Sequence, residues 1–175
     1  MVLLENEDTA QKRGSKIVGK IKGYGTSFYG SIDKVNNFKT TGIVNALKNS
    51  FKDAEVDKDS VEYIFTSANG IKNIDDLEKK ALIEFFGEDS LSKKVIIPIK
   101  SILGECIGAS NIFQLVTAIH LKDIETLPCV YKYSQDKKNL EIIKNFKINS
   151  SNFQKILLNY ISECGNHSAI IIELI

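Results

Sequence analysis

The hydrophobic and polar positions along the chain predict strands that alternate with helices. Residues 16–24 alternate in polarity as a half-buried strand does, while residues 61–66 and 95–100 are short apolar runs bounded by turn-forming residues. Between these strands, apolar residues spaced three and four apart predict a helix from about 41 to 54 and another that opens at Asp75. This alternation favours an α/β fold in which helices pack on a mixed, mostly parallel sheet.

The pattern then predicts a buried central helix followed by two paired strands. A long stretch that begins at Ser101 or Asn111 and ends at Leu121 is apolar on nearly all sides, so we expect a helix buried all round. Residues 155–162 and 168–175 are β-prone and flank a turn. They are therefore expected to form an antiparallel pair at the end of the sheet.

Smaller features complete the predicted organisation. Residues 2–5 are β-prone and are expected to form a short strand. In the strand that follows, simple alternation places Ile21 and Gly23 on the same face. Residues 122–150 are polar and lysine-rich, which predicts an irregular loop. Gly104 and Gly108 have no side chains, so another segment is expected to pack closely on them.

Composition and charge exclude several classes of protein. With 175 residues, 43% of them hydrophobic, the chain is long enough for a single domain over residues 1–175. Its 23 basic and 22 acidic residues leave a net charge of +1, which provides no strongly basic surface for nucleic acid. No apolar run approaches the roughly 20 residues that span a bilayer. The acidic start does not read as a secretory leader, so a cytoplasmic protein without membrane contact is expected.

The cysteines do not favour a disulfide or a metal site. Cys106, Cys129 and Cys164 are odd in number and match no metal-ligand spacing, which predicts reduced thiols and no bound cofactor. Cys106 is expected to be a small buried core residue. His120 is expected near the C-terminal end of the central helix, as a partner of its dipole.

Three motifs in the middle of the chain follow one another in a familiar order. They are Ser67-Ala68-Asn69-Gly70, then Asp75-x-x-Glu78, then Lys100-Ser101-Ile102-Leu103-Gly104-Glu105-x-x-Gly108-Ala109. Together they resemble the second half of a β-ketoacyl synthase, a condensing enzyme with the thiolase fold. That family's pattern is His-Gly-Thr-Gly-Thr, then Asp-x-x-Glu, then Lys-Ser-x-x-Gly-His-x-x-Gly-Ala. The resemblance covers nearly the whole chain and implies a thiolase-like C-terminal half-domain, in which residues 1–5 resemble the strand that closes the first half.

The departures from this family pattern remove its reactive groups. Ser67 and Glu105 stand where the family has its two histidines, and the nucleophilic cysteine belongs to a first half that is expected to be missing here. Neither residue can act as an imidazole donor, and an ionised Glu105 would repel a developing oxyanion. The family's support residues Lys100, Asp75 and Glu78 are retained, and Glu105 is expected to pair with Lys100. The resemblance therefore implies a scaffold without catalytic residues.

Inactive members of this family indicate a function. The chain resembles, in kind, the chain-length-factor type of subunit, which pairs with an active ketosynthase in type II polyketide and polyene systems. The expected partner is an active ketosynthase subunit or a separate N-terminal half, in polyketide, polyene or fatty-acid-type biosynthesis. An acidic acyl carrier protein could contact the lysines of residues 132–147, although a solvated loop is the simpler interpretation.

Two nucleophiles leave an enzymatic or acyl-binding alternative open. Ser67 in its turn, or Cys164 beside Gly165, could carry acyl transfer, and Ser67 with Asn69 could bind a ligand. Cys164 and His167 are close enough in sequence to form a dyad or half of a metal site. A polar turn and a thiol without function are the simpler interpretations.

Overall fold

Strands and helices alternate along the chain in the computed structural model, which describes residues 2–29, 39–121, 123–133, 140–148, 155–162 and 164–175. The strands are β1 Gly19–Phe28, β2 Tyr63–Phe65, β3 Val95–Ile97, β4 Thr126–Tyr133, β5 Leu140–Lys147, β6 Lys155–Ile161 and β7 Asn166–Leu174. The helices are α1 Glu7–Lys12, α2 Thr40–Ala54, α3 Lys72–Phe86, α4 Glu88–Leu91, α5 Lys100–Leu103 and α6 Ser110–Leu121. Short 3-10 turns lie at 58–60 and 107–109.

The described strands form one mixed sheet in the order β1-β7-β6-β2-β3-β4-β5. The central strand β2 runs parallel to β6 and β3, and the other pairings are antiparallel. The predicted mixed α/β fold is confirmed, but its parallel part is confined to the centre of the sheet. The supposed loop 122–150 instead contains β4 and β5. Its strand pattern was hidden because β5 lies at a sheet edge, where Ile142 is 57% exposed among polar neighbours.

Two hydrophobic cores lie on opposite faces of this sheet. Helices α2 and α3 cover one face, where Leu47 and Phe85 pack in the same cluster as Ile64. Helix α6 covers the other face, where Tyr63 and Phe65 belong to the core. Consecutive residues of β2 therefore point to opposite cores, as the alternation along a strand requires. Each fully buried side chain of this size contributes about 2 kcal/mol of hydrophobic stabilisation.

Helices α2 and α3 form close to where their apolar spacing predicts. α2 begins at Thr40 and ends at Ala54, as expected. α3 begins at Lys72, three residues before Asp75, because the Asp75 carboxylate instead accepts hydrogen bonds from the backbone that precedes the helix. The helix ends at Phe86, and Gly87 follows with φ at +80°, a conformation that favours glycine.

The predicted central helix is interrupted and is covered on one side only. α5 ends at Leu103 and is followed by Gly104, whose φ is +78°, and a 3-10 turn comes before α6 begins. On α6, Leu115 and Ala118 are buried against the sheet, but Ile112 and Phe113 are 48% and 45% exposed. The expectation of burial on all sides is therefore wrong for this chain. The sequence pattern is correct in its apolar residues, but one sheet can bury only one side of a helix.

Strand β1 begins later than predicted and contains a bulge. It runs from Gly19 to Phe28, and the register with β7 shifts between Ile21 and Gly23, which leaves Lys22 as the extra residue. Ile21 consequently faces the α6 side of the sheet, whereas Gly23 faces α2. Simple alternation placed them together and is wrong here, because a bulge inverts the sidedness of the residues after it.

The N-terminal segment also differs from its prediction. Residues 2–5 form no strand, and Leu3 and Leu4 are 69% and 61% exposed. The polar stretch after them forms α1, whose first turn is capped when Asn6 Oδ1 accepts from the backbone N–H of Asp8. A strand needs a neighbour to satisfy its backbone, and none of the described strands pairs with these residues.

Candidate functional site at the ends of the parallel strands

The carboxyl ends of the parallel strands bring the predicted site residues together. The chain leaves β2 through Ser67 and Asn69, leaves β3 towards Lys100, and ends β6 at Ile161. Parallel strands place these ends at one edge of the sheet, where α/β proteins usually bind ligands. Lys100 Nζ lies 3.2 Å from Ser67 Oγ and 2.8 Å from Glu105 Oε2, so the expected ion pair between Lys100 and Glu105 is confirmed.

Lys100 is the buried centre of this cluster. Its side chain is only 4% exposed, and a charge removed from water in this way needs compensating partners. Ser67 and Glu105 accept from its ammonium, and Nζ lies 5.3 Å from the centre of the Tyr160 ring, within cation–π range. These contacts hold the ammonium in one place.

The carboxylate of Glu105 accepts hydrogen bonds on both of its oxygens. Lys100 Nζ and Asn69 Nδ2 donate to Oε2 over 2.8 and 3.1 Å. The backbone N–H of Ile107 and the hydroxyl of Ser110 donate to Oε1 over 3.0 and 2.9 Å. Partial burial acts to raise the pKa of Glu105, but these side-chain hydrogen bonds, that from Lys100 first, lower it to about 2. The group is therefore a carboxylate at neutral pH.

Glu78 is a second carboxyl group, buried next to the turn that carries Ser67. Its side chain on α3 accepts from the backbone N–H of Ser67 over 2.8 Å and from Asn159 Nδ2. The residue is 2% exposed. Removal from water raises the pKa of Glu78 to about 7, although both hydrogen bonds act to lower it. Its structural effect is to fix the backbone at Ser67.

The hydroxyl of Ser67 is buried and already bonded. The residue is 1% exposed, and its Oγ accepts from the backbone N–H of Ile161 and from Lys100 while donating to the Ile161 carbonyl. None of these partners is a histidine or a carboxylate that could accept the hydroxyl proton, and Lys100 Nζ is also bound to Glu105. Asp75 shapes the same turn, since its carboxylate accepts from the backbone N–H groups of Asn69 and Gly70 over 3.1 Å each.

Gln114 is a site residue that sequence reasoning missed. It is fully buried on α6, and its amide nitrogen donates to the backbone carbonyls of Thr66 and Asn159, both over 3.1 Å. The Thr66 carbonyl lies just after β2 and the Asn159 carbonyl lies within β6, two residues before that strand ends, so one side chain connects α6 to both strands. The only signal in the sequence was a lone glutamine within an apolar stretch.

The other candidate residues lie apart from this cluster. Cys164 is exposed in the turn between β6 and β7, whereas His167 is buried on β7 and its pKa is lowered by burial. Between these two described residues no hydrogen bond is formed, so the hypothesised dyad is absent. Cys106 is half-buried rather than a core residue, Cys129 lies in β4, and His120 occupies the last turn of α6 as predicted.

The described ranges hold neither a cluster of metal-ligating side chains nor a membrane-spanning helix. They contain no group of three or more histidine, cysteine or acidic side chains placed to hold a metal ion. None of their helices combines the length and apolar character needed to cross a bilayer.

A cavity of about 650 Å³ lies elsewhere, between the N-terminal segment and the α6 side of the sheet. Its apolar lining includes Leu3, Val116, Ile119 and Leu174. None of the Lys100 cluster lines it, so the cavity and the cluster are separate features.

Comparison with known proteins identifies the family to which these features belong. A family model described as "Beta-ketoacyl synthase, C-terminal domain" matches residues 18–132. The chain is 29% identical over 149 residues to 3-oxoacyl-[acyl-carrier-protein] synthase 2 of Staphylococcus aureus (strain COL), covering 83% of this chain and 35% of that protein. The chain is 25% identical over 146 residues to the enzyme of the same name from Coxiella burnetii, and the match covers 82% of this chain and 35% of that protein. The chain thus spans about a third of the length of these curated relatives.

Solved structures show the same fold. The ishigamide ketosynthase/chain length factor matches with a TM-score of 0.75 and 19% identity, over 97% of this chain and 41% of that one. A type II polyketide ketosynthase in complex with its acyl carrier protein matches with a TM-score of 0.78 and 20% identity. This match covers 98% of this chain and 42% of that one. A β-ketoacyl synthase from Burkholderia phymatum gives a TM-score of 0.72 at 18% identity, over 98% and 41%.

Proposed function

This chain belongs to the β-ketoacyl synthase family through its C-terminal domain, and from that premise we propose that it is a non-catalytic subunit of the chain-length-factor type. It forms a single half-domain and pairs with an active ketosynthase or with a separate N-terminal half. The reaction it serves is carbon-chain extension in polyketide, polyene or fatty-acid-type biosynthesis. The observation that carries this proposal is the Glu105 carboxylate bound to Lys100 in place of an imidazole.

Loss of the family's chemistry is supported by the state of both histidine positions. Ser67 is buried with its hydroxyl bonded to Ile161 and Lys100. Glu105 is ionised, and a negative charge beside a developing oxyanion raises the free energy of that transition state. The chain has only two histidines, His120 on α6 and His167 buried on β7, and neither contacts Lys100. The family's acid–base groups therefore have to come from the partner.

Pairing is supported by an uncovered apolar surface on the α6 side, here named the α6 face. Five large apolar residues that are 45–75% exposed define it: Ile102, Leu103, Ile107, Ile112 and Phe113. Each 100 Å² of apolar area that a partner covers would contribute about 2.5 kcal/mol before association entropy is counted. A partner that provides a second apolar layer fits this face.

Gly108 adds a second argument for a partner on the α6 face. Sequence reasoning expected close packing there, yet no atom of the described chain lies within 4 Å of a Cβ placed on Gly108. That expectation is wrong for the isolated chain. Its φ is outside the positive region where glycine is required, so the missing side chain leaves a flat area that a partner backbone can approach.

An acyl carrier protein is the second proposed partner. Lys132, Lys144 and Lys147 lie on the β4–β5 hairpin, where Lys132 Nζ is 4.9 Å from the centre of the Phe146 ring. Lys137 and Lys138, which belong to the same predicted contact, lie outside the described residues. A basic hairpin of this kind raises the rate at which an acidic partner associates more than it raises the affinity of the complex.

The experiment is co-expression with the N-terminal half of a ketosynthase, using Ile112→Ser and Ile142→Ser as matched variants. Both isoleucines are about half exposed, but Ile112 lies on the α6 face and Ile142 on the opposite side of the sheet. We expect a 1:1 complex by light scattering, weakened at least about tenfold by Ile112→Ser and unchanged by Ile142→Ser. A monodisperse monomer that binds no hydrophobic dye, with both variants behaving alike, would exclude the proposal.

Exposure of Cys164 favours one alternative, acyl transfer or acyl binding through its thiol. Ser67 is a poor candidate for the same role because its hydroxyl is buried and bonded. Incubation with an acyl thioester followed by mass spectrometry separates the alternatives. A covalent adduct that disappears in Cys164→Ala would support the enzyme, and the proposed subunit predicts no such adduct.

A further inference from the structure

The donors around Glu105 form a carboxylate-binding site within the chain itself. Four groups from four separate residues converge on its two oxygens over 2.8–3.1 Å, two donors to each oxygen. This is the arrangement that proteins use to bind small carboxylates and other oxyanions. We infer that these donors form a preorganised site for a small carboxylate, that Glu105 fills it as an internal ligand, and that an external carboxylate can occupy it once the Glu105 side chain is shortened.

The side-chain donors are held in place by contacts other than those with Glu105. Lys100 is fixed by its hydrogen bond to Ser67 and by the Tyr160 ring. Asn69 is oriented because its Oδ1 accepts from the backbone N–H of Ile71 over 3.1 Å. Ser110 is 3% exposed, so its side chain has little freedom. Removal of the Glu105 carboxylate should therefore leave these donors close to their present positions.

Ile107 supplies independent evidence that this is a built site. Its φ is +50°, a conformation that is rare for any residue with a side chain and especially unfavourable for a β-branched one. Its own side chain is 75% exposed, so packing does not account for this conformation. In this conformation the backbone N–H of Ile107 donates a hydrogen bond to Glu105 Oε1 over 3.0 Å. Backbone strain of this kind is typical of ligand-binding positions.

The site is also reachable from solvent. The Glu105 side chain is 39% exposed although its main partner Lys100 is buried. If Glu105 is shortened, a carboxylate from solution can approach along the path that the side chain now fills. A chain that carries its own carboxylate here excludes anionic substrates from this position. This inference stands on the hydrogen-bond geometry and does not require the proposed partner.

The test is chemical rescue of Glu105→Ala by acetate, followed on the full chain by amide NMR and thermal denaturation. We expect saturable movement of the Ile107 amide resonance with a Kd in the millimolar range. The melting temperature should rise by about 3 °C in about 0.1 M acetate relative to chloride at equal ionic strength. Glu105→Gln is the matched control, because its amide still fills the site, and it should not respond to acetate.

The outcomes separate the inference from non-specific anion effects. The double variant Glu105→Ala with Asn69→Ala lacks one donor but keeps the buried lysine. Loss of the acetate response in this double variant would support the site. An equal response of the wild-type chain, or movement spread over many amides without saturation at Ile107, would overturn it. None of these readouts depends on complex formation, so the proposed pairing can fail independently.

Discussion

At the scale of single residues, two glutamates near one lysine have pKa values that move in opposite directions. Glu105 is partly exposed and well supplied with donors, so its pKa falls to about 2. Glu78 is enclosed, and the loss of hydration raises its pKa to about 7 despite two hydrogen bonds. Lys100 is close to both carboxyl groups. The balance between hydration and hydrogen bonding, rather than residue type, decides which of them is charged.

Glu78 should make the stability of the chain depend on pH. Its pKa is raised from 4.5 to about 7 on folding, so the folded state binds the proton more tightly and stability falls as pH rises through that interval. At about 1.4 kcal/mol per pKa unit, the Glu78 carboxyl group by itself should account for a loss of about 3 kcal/mol between about pH 4 and pH 8. Urea denaturation of wild type and Glu78→Gln across this range measures the loss, which the variant should largely lack.

A matched control for that measurement is Glu141→Gln, which changes an exposed carboxyl group on β5. Its pH profile should follow that of the wild type. If Glu78→Gln shows the same decline with pH as the wild type, the buried carboxyl group is not its source.

The sequence was informative at the residue scale only where neighbours along the chain also meet in space. Lys100 and Glu105 are five residues apart, and their pairing followed from spacing and motif. Gln114 contacts carbonyls 45 and 48 residues away, so no local pattern could show its role. The donors to Glu105 come from three separate segments, which explains why the carboxylate site was also invisible.

At the scale of elements, the contact between β1 and α2 depends on the absence of side chains. A Cβ placed on Gly25 would overlap the backbone oxygen of Ala46 and the backbone nitrogen of Ser50. A Cβ on Gly23 would overlap the backbone of Ala54 in the same helix. The strand and helix are therefore separated by backbone alone, and these atoms cannot move aside as a flexible side chain could.

Gly25→Ala should consequently destabilise the fold. We expect a loss of about 3 kcal/mol or more in the free energy of unfolding, because α2 must be displaced from the sheet. Gly108→Ala is the control, since nothing in the described chain lies within 4 Å of its added methyl group, and its effect should be within about 0.5 kcal/mol. Chemical denaturation of both variants provides the comparison, and equal effects would show that the β1–α2 contact can relax.

Prediction of the elements succeeded where the periodic pattern was long and uninterrupted. α2 and α3 each have 15 residues and were found within three residues of their true ends. β1 was misplaced because a single bulged residue changes every later assignment. The β4–β5 hairpin was missed since an exposed edge strand carries polar residues like those of a loop.

At the scale of the whole molecule, the two faces of the sheet differ in how the helices that cover them meet solvent. Helices α2 and α3 complete one core, while α6 covers the other and keeps exposed apolar residues on its outer side. The sequence showed that this stretch is apolar all round, but not that Ile112 and Phe113 stay 48% and 45% exposed in the structure. That fact depends on how many layers the chain provides, which periodicity does not encode.

Gly108→Leu should separate folding from assembly. The added side chain meets open space in the isolated chain, so its melting temperature should change by no more than about 1–2 °C. On the α6 face, the same side chain would hold a partner backbone away and weaken the complex by about tenfold or more. Thermal denaturation and isothermal titration with the N-terminal half measure the two effects. A variant that binds as tightly as the wild type would show that the partner does not reach Gly108.

The Gln114 side chain has one further consequence. Its amide donates to the carbonyl of Thr66, the residue before Ser67, and to that of Asn159 within β6, so α6 is hydrogen-bonded to the backbone on two strands beside the Lys100 cluster. A rotation of α6 would therefore displace the carbonyls of Thr66 and Asn159, which lie next to the Lys100 cluster. If the proposed partner docks on α6 and shifts that helix, we expect the backbone beside Ser67 to shift with it.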